Sequence, residues 1–382
     1  LHGGNDYFYD IYDSNDYIFD TKKSSIGSSG DDAIWAGGGD DVIVSIFDST
    51  TVSPFGYAEG FHGGAGNDTL NFVPSEAGVT VDLAQNTATN AHGARALVTG
   101  FETVHGSAYK DFLLGDVSAN EFYGWSGDDV IDGRGGDDLL NGGTGNDWIN
   151  GGDGNDSIYG GDLDPFYPEN DTIYGGKGAD LIFAGLGDDR VYGEAGADRM
   201  FGGIGNDTMY GGADADELSD GRGNDALSGG SGDDTITGGE GNDRLSGDSG
   251  NDRIFDGDGN DLVYGGLGAD LIASGLGRDT FVFKSLRDSG TSSLNADKIS
   301  NFTTGLDHID VSMIDANALV AGNQAFRFIG DHAFTMAGQI SATYSASTNE
   351  TFVRFNTDGD AAAEMLIRLS GNIKLGAGDF IL

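Results

Sequence analysis

The sequence predicts an all-β fold, in which short parallel strands and tight turns alternate along a solenoid. Three observations predict it. A nine-residue unit rich in glycine and aspartate repeats from Gly124 to Phe283. Each unit carries one apolar residue at a fixed position, with the out-in-out alternation of a short strand around it. Beyond Phe283 the glycine period ends, and a β-rich composition follows that predicts a capping domain.

The repeat is regular over 17 units with one interruption. The segment 142–161, GGTGNDWINGGDGNDSIYGG, shows the pattern. Position six is aspartate in every unit, position eight is always apolar, and position four is glycine in 15 units. The interruption at 160–174 adds six residues, including Asp164-Pro165, which we interpret as a surface turn. The position-six aspartates are Asp129, Asp138, Asp147, Asp156, Asp171, Asp180, Asp189, Asp198, Asp207, Asp216, Asp225, Asp234, Asp243, Asp252, Asp261, Asp270 and Asp279.

The glycines predict the shape of the turns. Glycine adopts positive φ without steric cost, so the G-G-x-G half of each unit predicts a tight turn with exposed carbonyl oxygens. The glycines at positions two and four, whose carbonyl oxygens are candidate ligands, are Gly143, Gly145, Gly152, Gly154, Gly176, Gly178, Gly185, Gly187, Gly203, Gly205, Gly230, Gly232, Gly239, Gly241, Gly257 and Gly259.

The charge of the chain predicts a bound cation. There are 63 acidic and 19 basic residues, which gives a formal net charge of −44. One apolar residue in nine makes a thin core, and stacked aspartates repel one another. Calcium resolves both problems, because carboxylate and carbonyl oxygens are its preferred ligands. We therefore predict a ladder of calcium sites in which the metal substitutes for the missing core.

The array resembles the G-G-x-G-x-D-x-U-x calcium-binding repeat of RTX proteins. The resemblance implies a right-handed parallel β-roll with two nonapeptides per turn and calcium between same-side loops of successive turns. It implies ligands from the position-six carboxylates of both loops, from carbonyls two and four of one loop and from carbonyls one and three of the next. The 17 loops would then hold up to about 15 calcium ions. Two implied sites join Gly143, Gly145 and Asp147 to Gly160, Asp162 and Asp171, and Gly203, Gly205 and Asp207 to Asp220, Arg222 and Asp225.

The flanks suggest four segments. Residues 1–71 carry degenerate repeats with an insertion, and Asp32, Asp41 and Asp68 stand at position six of the clearer copies. Residues 72–105 predict strands that interrupt this first roll. The main roll is expected at 106–283, restarting with the candidate ligand Asp111, and a C-terminal domain at 284–382.

The C-terminal segments GRDTFVF, ADKISNF, LDHIDVS and the final DFIL resemble the C-terminal domain of serralysin-type proteases, peptidase family M10. The regulatory modules of secreted mannuronan epimerases are similar. The resemblance implies that the C-terminus, with Asp379, Phe380, Ile381 and Leu382, is recognised by a type I secretion system.

Several classes are excluded by the sequence. The acidic surface is unsuited to nucleic acid, and no apolar run approaches the length of a transmembrane helix. Without cysteine there are no disulfides or thiolate metal sites. No H-E-x-x-H motif is present, so no catalytic residue is predicted.

We therefore expect a secreted, extracellular calcium-binding protein or module without catalytic function in this chain. Its calcium-driven folding would support type I secretion and extracellular stability. Two alternatives stay open: the C-terminal tail of an extracellular protease or polysaccharide-modifying enzyme, and a surface-layer or adhesive protein. The expected partners are calcium, the type I secretion machinery, and a cell surface or polysaccharide.

Overall fold

The computed structural model describes residues 7–9, 17–20, 32–45, 59–161 and 168–382. Asp162 and Asp164-Pro165 lie outside the described residues, as does the side chain of Asp32. The chain divides into two units, Leu1–Tyr192 and Gly193–Leu382. Within the described residues there are β-strands and one short 3-10 helix but no α-helix. The predicted all-β fold is confirmed.

The first unit consists of short strands at regular intervals. They are β1 (Tyr7–Tyr9), β2 (Tyr17–Asp20), β3 (Asp32–Gly38), β4 (Val42–Ser45), β5 (Glu59–Ala65), β6 (Thr69–Asn71), β7 (Val79–Asp82), β8 (Thr87–Asn90), β9 (Arg95–Thr99), β10 (Thr103–His105), β11 (Phe112–Leu114), β12 (Glu121–Ser126), β13 (Val130–Gly135), β14 (Leu139–Thr144), β15 (Trp148–Asp153), β16 (Ser157–Gly161), β17 (Thr172–Lys177), β18 (Leu181–Leu186) and β19 (Arg190–Ala195).

Strands two places apart along the chain pair in parallel. β12 pairs with β14 and β14 with β16 in one sheet, while β11, β13, β15 and β17 pair successively in the other. In register, Phe122 lies opposite Leu140 and Ile131 opposite Ile149, so partners are two nonapeptides apart. Consecutive nonapeptides therefore supply one strand to each sheet, which defines a parallel β-roll.

The segment 72–105 adds antiparallel strands to this roll. β8 pairs antiparallel with both β7 and β9. β9 pairs in parallel with β5, and β7 pairs in parallel with β11. β7, β8 and β9 thus join one sheet of the roll, while β10, at the end of the segment, pairs in parallel with β6 and β12 in the other.

The second unit continues the same pattern and ends differently. Its elements are β20 (Arg199–Ile204), β21 (Thr208–Ala213), β22 (Glu217–Ser219), β23 (Ala226–Ser231), β24 (Thr235–Glu240), β25 (Arg244–Ser249), β26 (Arg253–Asp258), β27 (Leu262–Leu267), β28 (Leu271–Ala273), β29 (Thr280–Val282), β30 (Lys298–Ser300), β31 (His308–Asp310), β32 (Arg327–Phe328), β33 (Gln339–Ser345), β34 (Glu350–Asn356), β35 (Met365–Ser370), the 3-10 helix η1 (Ala377–Asp379) and β36 (Phe380–Ile381).

An antiparallel sheet follows the roll of the second unit. β33, β34 and β35 form the antiparallel part, and β35 pairs in parallel with β30, which itself follows β28 in the roll. Arg368 of β35 and Lys298 of β30 both form ion pairs with Glu350 of β34, at 2.7 and 3.2 Å. This buried carboxylate therefore links the antiparallel sheet to the roll strand β30. The C-terminal β36 pairs in parallel with β31, and its Phe380 packs against Phe328.

The core of each roll is a column of position-eight side chains. Ile131, Ile149 and Ile173 from one sheet of the first unit are fully buried, as are Ile236 and Ile254 in the second unit. The predicted alternation is confirmed, because the flanking residues are exposed or half-buried.

Position five forms an exposed hydrogen-bond ladder outside this core. The Asn242 N–H donates to the Asn224 side-chain oxygen at 3.0 Å, and the Asn260 N–H donates to that of Asn242 at 2.9 Å. A short side chain with an acceptor oxygen is what this geometry needs, which accounts for the frequent Asn or Asp at position five.

In the part of the chain that the structure describes, no helix is long and apolar enough to cross a membrane.

Candidate metal centre

All 17 position-six aspartates are buried, and none is more than 3% exposed. One carboxylate oxygen of most ladder members accepts a backbone hydrogen bond from the equivalent residue two units earlier. Asp129 N–H donates to Asp147 Oδ1 at 2.7 Å, and Asp147 N–H donates to Asp171 Oδ1 at 2.8 Å. The six extra residues of the interruption therefore leave the ladder intact between Asp147 and Asp171.

The same bond recurs through both units. It joins Asp111 to Asp129, Asn120 to Asp138, Asp138 to Asp156, Asp156 to Asp180 and Asp171 to Asp189 in the first unit, and Asp198 to Asp216, Asp207 to Asp225, Asp216 to Asp234, Asp225 to Asp243, Asp234 to Asp252, Asp243 to Asp261, Asp252 to Asp270 and Asp261 to Asp279 in the second.

The second carboxylate oxygen is buried without a hydrogen-bond partner at many of these positions. A buried, ionised oxygen is costly unless a cation or donor compensates it. The residues with such an Oδ2 atom include Asp68, Asp129, Asp138, Asp147, Asp156, Asp216, Asp234, Asp243, Asp252, Asp261 and Asp270. The orphaned oxygens are regularly spaced, and this is the arrangement that a row of bound cations would satisfy.

Backbone oxygens converge on the same spaces. The Oδ2 of Asp147 and the carbonyl oxygen of Gly160 both face Gly142, where a Cβ would overlap them. The carbonyl oxygens of Trp125 and Gly127 likewise face the next same-side loop. Gly124, Gly133, Gly142 and Gly151 at position one thus each leave a space in which a carboxylate and a carbonyl from different loops meet.

The predicted glycine turns are present. All 16 glycines named above have positive φ, for example 101° at Gly143 and 131° at Gly145. The turn requires positive φ at positions two and four even where glycine is absent. Arg134 at position two and Asp214 at position four adopt it, with φ of 69° and 77°.

The electrostatics of the ladder favour a neutralising partner. Burial raises the pKa of Asp147 from 3.8 to about 8, and the charges of Asp171 and Asp129 add to the shift. Burial likewise raises the pKa values of Asp129, Asp138, Asp171, Asp216, Asp252 and Asp261 to about 7. These carboxyls resist ionisation in a roll without cations, although they would be ionised at neutral pH in the unfolded chain.

The structure brings together most residues of the two sites written out above. Asp147 and Asp171 are adjacent in the ladder, with the Gly160 carbonyl beside Asp147. In the second site, carboxylate oxygens of Asp207, Asp220 and Asp225 lie within 4.8 Å of one another.

Two carbonyls of the second site already take part in the backbone ladder. The Gly203 oxygen accepts a hydrogen bond from Arg222 N–H at 3.1 Å, and the Arg222 oxygen accepts one from Gly205 N–H at 2.8 Å. Since a carbonyl oxygen has two lone pairs, each retains capacity for a second partner.

The upstream candidates differ among themselves. Asp41 and Asp68 are fully buried, and Asp41 N–H donates to Asp68 Oδ1 at 2.9 Å, so both belong to a ladder. Asp111 is also buried, but its two oxygens already accept hydrogen bonds from Val79 and Ser107 N–H groups. Its carboxylate is therefore satisfied by the protein.

The ladder extends beyond the predicted array. Asp270 N–H donates to Asp297 Oδ1 at 3.0 Å, and Asp279 N–H donates to Asp307 Oδ1 at 3.1 Å. Both residues are buried, and Asp297 leaves Oδ2 without a partner. Sequence reasoning missed them because the glycine period ends before them and they lie 27 and 28 residues after their ladder partners, where 18 is usual in the array. A signal was present, since each is followed two residues later by a buried isoleucine, Ile299 or Ile309.

The donors fit calcium. They are carboxylate and carbonyl oxygens, which hard cations prefer, and softer metals would call for thiolate or imidazole. Fold and donor set together define a class, a repeat β-roll whose loops are suited to hard divalent cations.

The chain belongs to the family described as peptidase M10 serralysin C terminal, whose model matches residues 21–382. Together with the acidic groupings, this membership supports a calcium-binding repeat domain.

Two solved structures are similar to parts of the chain. The AlgE6R2 subunit of the mannuronan C5-epimerase from Azotobacter vinelandii is 25% identical, and the match covers 39% of this chain and 88% of that chain, with a TM-score of 0.28. The AlgE6R3 subunit of the same enzyme is 25% identical over 44% of this chain and 78% of that chain, with a TM-score of 0.27.

Proposed function

We propose that this chain is a secreted calcium-binding repeat protein or module whose folding is driven by extracellular calcium, and that it has no catalytic role of its own. One observation carries the proposal: a regular ladder of buried aspartates in which most have one oxygen bonded to the backbone and many have the other oxygen without a hydrogen-bond partner. The basic residues are too few to neutralise it, at 19 against 63 acidic residues.

The residues that would hold calcium follow from the geometry. Position-six carboxylates of successive same-side loops would supply the charge, and turn carbonyls such as those of Gly143 and Gly145 would complete each shell. Calcium bound between two loops replaces their repulsion with attraction. The folding free energy of the array would then come in large part from metal binding.

Calcium dependence suits export. Extracellular calcium modules bind calcium with dissociation constants of about 10⁻⁴ to 10⁻³ M, far above cytosolic concentrations. The array would stay unfolded inside the cell, in a form that a narrow type I channel can pass, and would fold outside. We place the export address in the last residues, Asp379 to Leu382. In the folded chain Asp379 accepts hydrogen bonds from Gly305 and Gly376 N–H groups and Phe380 is buried, so these two residues would be accessible to a transporter only before folding.

Membership of a family named for the C-terminal part of serralysin peptidases supports a second candidate. The chain would then be the C-terminal portion of an extracellular enzyme and serve its folding and export. An H-E-x-x-H or polysaccharide-modifying domain in the reading frame upstream of Leu1 would establish this role. A surface-layer or adhesive role predicts calcium-dependent lattices or cell attachment instead.

Two experiments test the proposal. Far-UV circular dichroism should show a disordered array in chelator and β-structure in millimolar calcium, and identical spectra would contradict calcium-driven folding. Deletion of Asp379 to Leu382 should abolish export by a type I transporter while calcium-induced folding of 124–283 persists. Secretion of the truncated chain would show that the address lies elsewhere.

A further inference from the structure

Position one of the nonapeptide carries an aspartate at two places in the second unit. Glycine is usual at this position, whereas Asp220 and Asp256 occupy it in their units. Both side chains are buried, at 7% and 0% exposure, although their place in the frame requires no carboxylate. Each also leaves Oδ2 without a hydrogen-bond partner.

The Asp220 carboxylate lies next to two ladder carboxylates, those of Asp207 and Asp225. Its Oδ1 accepts a hydrogen bond from Gly221 N–H at 2.8 Å, which orients the group. Both of its oxygens and the Oδ2 of Asp207 face Gly202, within 2.8 Å of where a Cβ would stand. With Asp225 they form a cluster of three carboxylates whose oxygens lie within 4.8 Å of one another.

Asp256 repeats this arrangement with other partners. Its Oδ1 accepts a hydrogen bond from Gly275 N–H at 2.6 Å. Its carboxylate groups with Asp261 and Asp279, again within 4.8 Å, and all three are buried. Asp261 and Asp279 are themselves a ladder pair, linked by the Asp261 N–H at 3.1 Å.

We infer that Asp220 and Asp256 each add a third carboxylate to a calcium site, so that these two sites bind calcium more tightly than the other sites of the second unit and fill first. The inference rests on the proposed function, because it ranks sites within a calcium-binding ladder. A third anionic ligand increases the attraction for a divalent cation, and ligand charge is one of the features by which calcium proteins set their affinity.

The same residues should oppose folding when calcium is absent. Three buried carboxylates repel one another, and the orphaned oxygens of Asp220 and Asp256 have no protein donor. Removing one charge would therefore weaken calcium binding and, at the same time, favour the calcium-free roll. A residue that only packs would not have this pair of opposite effects.

The test uses the full chain and the isosteric variants Asp220→Asn and Asp256→Asn. Asp214→Asn is the matched control, because Asp214 is exposed, lies in the same array and loses the same charge. Calcium binding is measured by isothermal titration and equilibrium dialysis. The parent should bind two ions about tenfold more tightly than the others of the second unit. Each cluster variant should lose one tight ion, with the total at saturation unchanged, and Asp214→Asn should retain both.

Circular dichroism in chelator supplies the second readout, in which the cluster variants should show more residual β-structure than Asp214→Asn. Should Asp220→Asn fail to fold in saturating calcium, Asp220→Gly replaces it, since glycine is usual at position one. Isotherms of the cluster variants that match Asp214→Asn would overturn the inference while leaving the proposed function intact. A parent chain that binds no calcium would overturn both.

Discussion

In calcium-free solution, lowering the pH from 8 to 5 should increase the β-structure of the chain. The folded roll buries carboxyls whose pKa values are raised by that burial, to about 8 for Asp147 and about 7 for Asp129 and Asp171. A group whose pKa is higher in the folded state contributes stability that is fully present below the unfolded pKa. This stability is lost as the pH rises through the folded pKa, so acid favours the calcium-free roll.

The magnitude can be worked out for Asp147. Its pKa rises from 3.8 to about 8 in the folded chain. With about 1.4 kcal/mol for each pH unit, the raised pKa lowers the stability of the calcium-free roll by about 4 kcal/mol at pH 7 and about 2 kcal/mol at pH 5, because the unfolded chain ionises this carboxyl and the roll does not. The total stability of a domain is about 5–15 kcal/mol. A few such carboxyls are therefore enough to keep the array unfolded near pH 8.

The assay is far-UV circular dichroism in metal-free buffers from pH 5 to 8, with light scattering as a control for aggregation. With calcium present the dependence should reverse, because the ligands must be ionised to bind the metal. The calcium concentration at the folding midpoint should then increase as the pH falls. A calcium-free spectrum that does not change with pH, or that gains β-structure as the pH rises, would refute this account of the buried carboxyls.

Three substitutions test other parts of the ladder. Asp147→Asn should raise the calcium concentration needed for folding, whereas Asp153→Asn should not, because the Asp153 side chain is 68% exposed and pairs with the surface Lys177; equal titration midpoints would argue against Asp147 as a ligand. Asp297→Asn should remove a calcium at the end of the roll and loosen the C-terminal sheet, seen as faster hydrogen exchange in β30 and β35; unchanged exchange and stoichiometry would restrict the ladder to the nonapeptides. Asn120→Asp should add a carboxylate at a buried ladder position, where the Asn120 N–H already donates to Asp138 at 2.7 Å, and should increase calcium affinity; an isotherm identical to that of the parent would count against that position as a site.

The roll and the buried ladder could be predicted from the sequence because each nonapeptide repeats the same local solution. Position eight must face inward if the strand is to bury anything, and Ile149 is fully buried as expected. Position six follows the glycine turn, and Asp147 accordingly lies beside the carbonyl of Gly160. Periodicity of this kind transfers from one copy to the next, so a single sequence contains many examples of the same rule.

Features outside the period could not be predicted in the same way. Asp297 and Asp307 join the ladder because β30 and β31 pair with roll strands, and that pairing depends on tertiary register. The antiparallel pairing of β8 with β7 and β9 depends on the same kind of contact. The three-carboxylate clusters could not be predicted from the repeat consensus either. In the sequence, Asp220 and Asp256 only replace the usual glycine at position one, and their proximity to ladder carboxylates is visible only in the structure.

We propose that calcium lies between the position-six carboxylates of successive same-side loops. Diffraction from crystals grown in millimolar calcium, recorded at a long wavelength, would locate the ions by their anomalous scattering. We expect peaks between ladder pairs, for example between Asp129 and Asp147 and between Asp234 and Asp252, with Oδ2 of each aspartate in the coordination shell. Ladder carboxylates without such peaks, bonded only to protein groups or water, would contradict it.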